Sequence, residues 1–183
     1  MTGVSSCAYS SFHELSLIHI SDECRTLFAI RGFGRNDATG LYGYCGSLEH
    51  LLVNDGYNRY ENPGASYTSI QNMFYFCGKL RKIIGVMTLY SDKTKEAFFK
   101  CYELEHVYIR IAADQKHVSL DFQYSPLLSF DSVRFMVDNI VESASATITV
   151  HPDVYAKLTD ESNAEWHKVL LDAAGKQITF ITA

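Results

Sequence analysis

The sequence predicts an α/β fold in which parallel strands from successive repeats stack into a solenoid. Three observations support this. A motif of aromatic residues followed by Cys-x-x-Leu recurs at residues 45–48, 77–80 and 101–104, aliphatic residues follow each leucine, and helical periodicity takes over in the last third of the chain. Because one repeat cannot bury its own apolar face, neighbouring repeats must stack against each other.

Two weaker copies of the motif flank the clear ones. Residues 24–27 contain the cysteine and leucine, and Ser125 stands where the next cysteine is expected. From Cys24 through Ser125 the steps are about 21, 32, 24 and 24 residues, and solenoid repeats of this kind measure about 20 to 29. The one long step contains residues 54–65, which we interpret as a loop insertion.

Each repeat is predicted to supply one strand and one turn. Leu104, Val107 and Ile109 fall at positions that place their side chains on one face, so that face turns inward and the intervening side chains point outward. The aromatic residues and cysteines then fill the opposite wall, where a thiol behaves as a small apolar group. We therefore expect reduced, buried thiols. Disulfide pairing remains an alternative because spacing does not decide connectivity, and the lack of Cys-x-x-Cys spacing argues against a metal site.

The two ends of the chain depart from the repeat. The apolar run at residues 15–20 predicts a strand in a capping first unit. Residues 130–141 show the spacing of an amphipathic helix. A strand at 147–150, a helix at 163–173 closed by a C-cap glycine, and a final strand at 177–181 follow. We expect these last two strands to extend the same parallel sheet.

These observations predict one domain over residues 1–183. Within it, residues 1–22 form an N-terminal cap or degenerate repeat, residues 23–130 the repeats, and residues 131–183 the C-terminal helix–strand units.

Composition narrows the class of protein. The chain has 183 residues, of which 47% are hydrophobic and 20% charged, a balance typical of soluble globular proteins. A net charge of -5 disfavours nucleic acid as a partner. The N-terminus lacks the pattern of a signal peptide, and no apolar run is long enough to insert into a membrane.

Residues 73–80 read Met-Phe-x-x-Cys-x-x-Leu, and residues 97–107 read Ala-Phe-x-x-Cys-x-x-Leu-x-x-Val. This pattern resembles the BspA-like leucine-rich repeats of bacterial surface proteins and of some phage proteins. The resemblance covers about residues 24–130, and the segments at 132–140, 148–158 and 166–171 resemble the ends of such arrays. It implies a leucine-rich-repeat solenoid with a parallel concave sheet and an irregular or short-helical convex side. It also implies a non-enzymatic binding scaffold without a cofactor, recognising a protein or a glycan at a bacterial cell surface or on a phage particle.

The predicted binding surface is the outward face of the strands, because stacking aligns equivalent positions of successive repeats. The insertion around residues 57–67 is the alternative binding region, and a merely solvated face is the alternative for the strand residues. Five phenylalanines near the motif, Phe74, Phe76, Phe98, Phe99 and Phe122, are expected mainly to pack the core. The predicted binding residues are Arg31, His50, Lys82, His106, Tyr108 and Arg110.

A cysteine hydrolase or acyltransferase of the papain or transglutaminase type is the alternative function. Cys45, His106 and Asp121 occur in a suitable order for a nucleophile, a base and an orienting acid. The repeat argues against it, because Cys45 has equivalents at Cys77 and Cys101, whereas a nucleophile is unique.

A second, weaker alternative is a phosphoesterase with two His-x-Ser segments, at His19 and His117. Such short matches are expected by chance in a chain with 7 histidines.

Overall fold

Two parallel β-sheets and a few helices make this an α/β protein. The computed structural model describes residues 6–10, 26–30, 35–54, 64–114 and 116–182. The strands in these ranges are β1 (Ser6–Ser10), β2 (Thr26–Ile30), β3 (Arg35–Asp37), β4 (His50–Asn54), β5 (Gly64–Ser69), β6 (Lys82–Leu89), β7 (His106–Ile111), β8 (His117–Phe122), β9 (Ser145–Val150) and β10 (Ile178–Thr182). The helices are α1 (Phe130–Asp138), α2 (Pro152–Thr159) and α3 (Ala164–Ala174).

The larger sheet has seven strands in the order β1-β2-β4-β6-β5-β3, and β7 pairs with β6. Thr26 pairs with His50, His50 with Lys82, and Lys82 with His106. Strands β4, β6 and β7 thus all begin two residues after the leucine of a motif, so the sequence repeat and the strand register coincide. The predicted strand at residues 15–20 lies outside the described residues, and β1 is the strand described nearest the N-terminus.

Strand β6 pairs with two earlier strands in succession. Leu52 of β4 faces Ile84, and Gly64 of β5 faces Val86. Between these pairs lies Gly85, whose φ of 102° suits glycine. A Cβ on Gly64 would lie 2.8 Å from the carbonyl oxygen of Val86, so only glycine fits this approach. The interior of the predicted insertion, residues 55–63, lies outside the described residues.

Between strands of the larger sheet, the chain forms a series of turns, here called the turn wall (residues 38–48, 70–80 and 94–104). Its repeats are joined by backbone hydrogen bonds: the N–H of Tyr42 donates to Met73 O at 2.9 Å, and the N–H of Phe74 donates to Ala97 O at 2.9 Å. The residue before each cysteine has positive φ, a conformation that costs about 1–2 kcal/mol in a residue other than glycine. These residues are Tyr44 (64°), Phe76 (61°) and Lys100 (59°).

In the described part of the chain, the motif cysteines Cys45, Cys77 and Cys101 are free, buried thiols, as predicted. The Sγ of Cys77 donates to Tyr42 O at 3.0 Å, and that of Cys101 donates to Phe74 O at 3.2 Å. A hydrogen bond with Cys45 and burial raise the pKa of the Cys77 thiol, and burial raises the pKa of Cys101 to about 12. Cysteine therefore serves here as apolar filler with a weak donor.

Ser125 fills the cysteine position in the following repeat. It is fully buried, and its hydroxyl donates to Cys101 O at 3.0 Å. Serine is tolerated at this buried position because its hydroxyl, a stronger hydrogen-bond donor than a thiol, has an acceptor.

A stack of buried aromatic rings runs through the core beside the thiols. Consecutive ring centroids along Tyr42, Phe74, Phe98 and Phe122 are 5.6, 5.5 and 4.8 Å apart. All four side chains are at most 1% exposed. Because the rings come from four different repeats, this stack ties sequence-distant turns together.

The C-terminal helices and strands partly match the prediction. Helices α1 and α3 and strands β9 and β10 are confirmed, and Gly175 is the C-cap of α3. Helix α2 was not predicted: Pro152, two residues after the predicted strand at 147–150, occupies the first turn of a helix, where the missing N–H costs nothing.

The prediction that β9 and β10 extend the larger sheet is wrong. Strand β9 pairs with β8 on one side and with β10 on the other, in a separate three-stranded parallel sheet. The reason is that α1 covers the edge of β7. Ser129 N–H donates to Glu105 O at 2.9 Å, and Val107 N–H donates to the Ser132 hydroxyl at 3.0 Å. With these edge groups already satisfied, a further strand has few partners on that side.

Helices α1 and α3 are linked by one guanidinium. Arg134 donates to Asp138 at 2.8 Å and to Asp172 at 2.6 Å. Hydrogen bonds from Lys168 and Arg134 hold the pKa of Asp172 below its usual value. The helices in the described part of the chain are too short and too polar to cross a membrane.

Candidate binding surface

The predicted binding residues of β4, β6 and β7 point away from the core. His50, Lys82 and His106 occupy neighbouring strands in direct register, and adjacent strands in a sheet lie about 4.8 Å apart. Lys82 is exposed and the two histidines are half-buried. The three side chains therefore form one continuous row across the sheet.

Two further rows lie across β5, β6 and β7. Tyr108 pairs with Val86, and Arg110 pairs with Thr88, which in turn pairs with Ser66. Arg110 is exposed, whereas Tyr108 is half-buried. We call the outward residues of β4 to β7 the sheet face. Its members are His50, Leu52, Gly64, Ser66, Thr68, Lys82, Ile84, Val86, Thr88, His106, Tyr108 and Arg110. Arg31, the remaining predicted binding residue, lies outside the described residues.

Helix α1 positions two members of the sheet face. The Nδ1 of His106 lies 3.1 Å from the Ser129 hydroxyl, which also caps α1 by accepting from Ser132 N–H. The Tyr108 ring meets Phe135 edge-on, with centroids 5.3 Å apart. These contacts restrict both side chains at the boundary between sheet and helix.

The sheet face carries positive charge in an acidic chain. Strands β4 to β7 contain Lys82 and Arg110 but no aspartate or glutamate. Glu49 and Glu105 lie one residue before β4 and β7, and Glu105 accepts from Arg81 at 2.6 Å. That hydrogen bond raises the pKa of Arg81. Arg81 thus partly neutralises the charge of Glu105, which borders the sheet face at the start of β7.

The residues of the alternative cysteine enzyme have separate hydrogen-bond partners. Cys45 is 8% exposed and lies on the turn wall, whereas His106 on β7 contacts Ser129. Asp121 accepts from the backbone and side-chain nitrogens of Gln123, at 2.9 and 2.7 Å. These contacts orient neither the imidazole toward the thiol nor the carboxylate toward the imidazole.

The histidine of the second alternative is also engaged elsewhere. The Nδ1 of His117 lies 2.9 Å from the Ser145 hydroxyl, and its Nε2 lies 3.1 Å from the Thr147 hydroxyl. His19 lies outside the described residues. The ring of His117 therefore bridges two hydroxyls of β9.

An aromatic cluster on the turn wall was missed by sequence reasoning. Phe76 and Phe99, expected to lie at or beside the core, are half-exposed, and Tyr44 is 73% exposed. The Nζ of Lys100 lies 4.4 Å from the Phe76 centroid and 5.5 Å from that of Phe99. The position of these residues in the motif could have revealed the cluster, because Tyr44, Phe76 and Lys100 each directly precede a cysteine that points inward.

The described residues also contain a cleft of about 430 Å³, lined by residues 138, 140–142 and 175–177. Within those same residues, His, Cys, Asp and Glu side chains do not cluster in the threes or more that would suit a metal ion.

The fold and the sheet face define an α/β protein whose parallel strands present equivalent side chains in rows. Comparison with protein-family models, with curated proteins and with solved structures gave no significant match.

Proposed function

We propose that this protein is a non-enzymatic binding scaffold, built as a leucine-rich-repeat solenoid, that recognises a protein or glycan through its sheet face. By its resemblance to BspA-like repeats, its place of action is a bacterial cell surface or a phage particle. The Cys45, His106 and Asp121 enzyme is the less favoured alternative, since each residue has its own structural contacts.

Regular bonding between repeats supports the solenoid. Along the turn wall, backbone donors at residues 38, 40, 42 and 44 reach acceptors at 69, 71, 73 and 75, and donors at 70, 72, 74 and 76 reach acceptors at 93, 95, 97 and 99. Such constant offsets are expected when each repeat contacts its neighbours in the same way.

The observation that carries the binding function is the in-register row of His50, Lys82 and His106. Equivalent outward positions on three strands bear side chains that donate hydrogen bonds, and the next two rows include Tyr108 and Arg110, respectively. Tyrosine and arginine are enriched in interfaces, and Leu52 and Ile84 add apolar area. A rigid sheet can hold such a mixed surface in one fixed arrangement.

Blocking the sheet face should abolish binding. Thr88 lies between Ser66 and Arg110 in that face, so Thr88→Tyr places a bulky ring there while keeping a residue favoured in strands. We expect this variant to lose binding to bacterial cells and to glycan arrays, measured by flow cytometry and array fluorescence.

Lys95→Tyr on the turn wall is the matched control, because Lys95 is exposed on the other side of the repeats. It should bind as the unmodified protein does. Equal binding by both variants would exclude the sheet face as the recognition surface.

Thiol reactivity separates the scaffold from the cysteine enzyme. A mild alkylating reagent should leave Cys45, Cys77 and Cys101 equally protected in the native protein, because all three are buried, and should label them together on unfolding. Peptide mapping by mass spectrometry resolves the three sites. Rapid native labelling of Cys45 alone would instead indicate an activated nucleophile and favour the enzyme.

A further inference from the structure

We infer that the ligand of the sheet face is an extended acidic peptide segment of a partner protein. This inference rests on the proposed binding function and narrows it to one class of ligand. It derives from the distribution of charge over the fold and from the spacing of polar and apolar side chains on the face.

Acidic and basic residues are unevenly distributed between strands β4 to β7 and the rest of the chain. The whole chain has 21 acidic and 16 basic residues, yet β4 to β7 carry Lys82 and Arg110 and no acidic residue. Both cations are exposed and outward. Complementary potentials guide association and select partners, so this face favours an anionic ligand over a cationic one.

Apolar side chains separate the cations along the strands. Ile84 and Val86 lie between Lys82 and the Thr88–Arg110 pair, and Leu52 lies beside Ile84 in register. All three aliphatic residues are half-buried, with part of each side chain exposed. An acidic peptide with interspersed apolar residues can satisfy both features. An acidic polysaccharide supplies the charge but has few apolar groups to cover the aliphatic row.

The ligand is recognised by side chains on this side of the sheet. The segment that follows α1 already satisfies backbone groups of β7, since Ile111 N–H donates to Asn139 O at 3.0 Å and Val141 N–H donates to Ile111 O at 3.0 Å. Adding a peptide strand at β7 would require displacing these contacts. Specificity therefore lies in Lys82, Arg110 and their apolar neighbours.

The test uses a fluorescein-labelled peptide in which glutamate and leucine alternate, with binding followed by fluorescence anisotropy. We expect Lys82→Ser combined with Arg110→Ser to weaken its affinity about tenfold, and higher salt to weaken binding to the unmodified protein. Thr88→Tyr should abolish binding. The matched control, Lys93→Ser combined with Lys95→Ser, removes the same charge from exposed positions in and directly before the turn wall and should leave affinity nearly unchanged. Circular dichroism and thermal unfolding check that each variant is folded.

Several results would overturn the inference. Equal weakening by the two double variants would show attraction to overall charge rather than to this face, and binding that survives Thr88→Tyr would place the peptide elsewhere. A glutamine–leucine peptide that binds as tightly and is blocked by Thr88→Tyr would refute the acidic ligand but keep the sheet face as a binding surface. Hyaluronate that binds more tightly than the peptide, and that no longer binds when Lys82 and Arg110 are replaced by serine, would refute the acidic peptide. The sheet face would then be a binding surface for a glycan. Self-association that depends on these two residues, measured by analytical ultracentrifugation, would identify a second copy as the occupant.

Discussion

Phe98→Ala is expected to lower the free energy of unfolding by about 3–5 kcal/mol, the usual cost of truncating a buried phenylalanine. Phe98 is 1% exposed, with Phe74 on one side at 5.5 Å and Phe122 on the other at 4.8 Å. Its removal opens a cavity in the middle of the buried ring stack and interrupts contact between repeats. Urea unfolding followed by circular dichroism measures the change.

Tyr102→Ala is the control in the same repeat, because Tyr102 is 49% exposed; its cost should be below about 1 kcal/mol. If Phe98→Ala prevents folding altogether, Phe98→Leu provides a milder truncation that should cost about 1–1.5 kcal/mol. Equal effects of Phe98→Ala and Tyr102→Ala would contradict the buried stack.

Alkaline pH is expected to destabilise the protein through its buried thiols. Burial raises the pKa of Cys101 from 9.0 to about 12, so the unfolded thiol loses its proton first as pH rises. The stabilisation from this group is complete below about pH 9 and falls by about 1.4 kcal/mol per pH unit up to about pH 12. The pKa of Cys77 is raised as well, which adds to the loss in the same direction.

Cys101→Ser isolates this effect, because Ser125 shows that the equivalent position accepts a buried, hydrogen-bonded hydroxyl. Between pH 8 and 10.5 the unmodified protein should lose about 2 kcal/mol more stability than Cys101→Ser. Urea midpoints measured under reducing conditions provide the comparison. Ionisations of groups that do not interact with Cys101 cancel, and the effect of Cys101 on the pKa of Cys77 acts in the same direction as the expected difference. Parallel pH profiles would show that Cys101 ionises as readily in the folded chain as in the unfolded one.

The site was predictable only where it followed the repeat. The alternation of Leu104, Val107 and Ile109 correctly placed His106, Tyr108 and Arg110 outward, because a strand reverses its side chains at every residue. No such rule applied to Phe76 and Phe99, whose exposure follows from the left-handed backbone at Phe76 and the stacking of neighbouring turns. Their place near the motif led to the prediction that both rings lie in or beside the core.

The sequence by itself determined the interval of the repeat, the buried thiols, the inward leucines and the starts of α1 and α3, since these depend on local spacing and on side-chain polarity. Only the tertiary structure decided that α1 covers the edge of β7 and that β8 to β10 form their own sheet. Both outcomes depend on which backbone groups a neighbouring element has already satisfied, whereas the helix that begins at Pro152 follows a local preference that sequence reasoning overlooked. Competition for hydrogen-bond partners arises between segments, so the sequence of either segment alone does not predict its outcome.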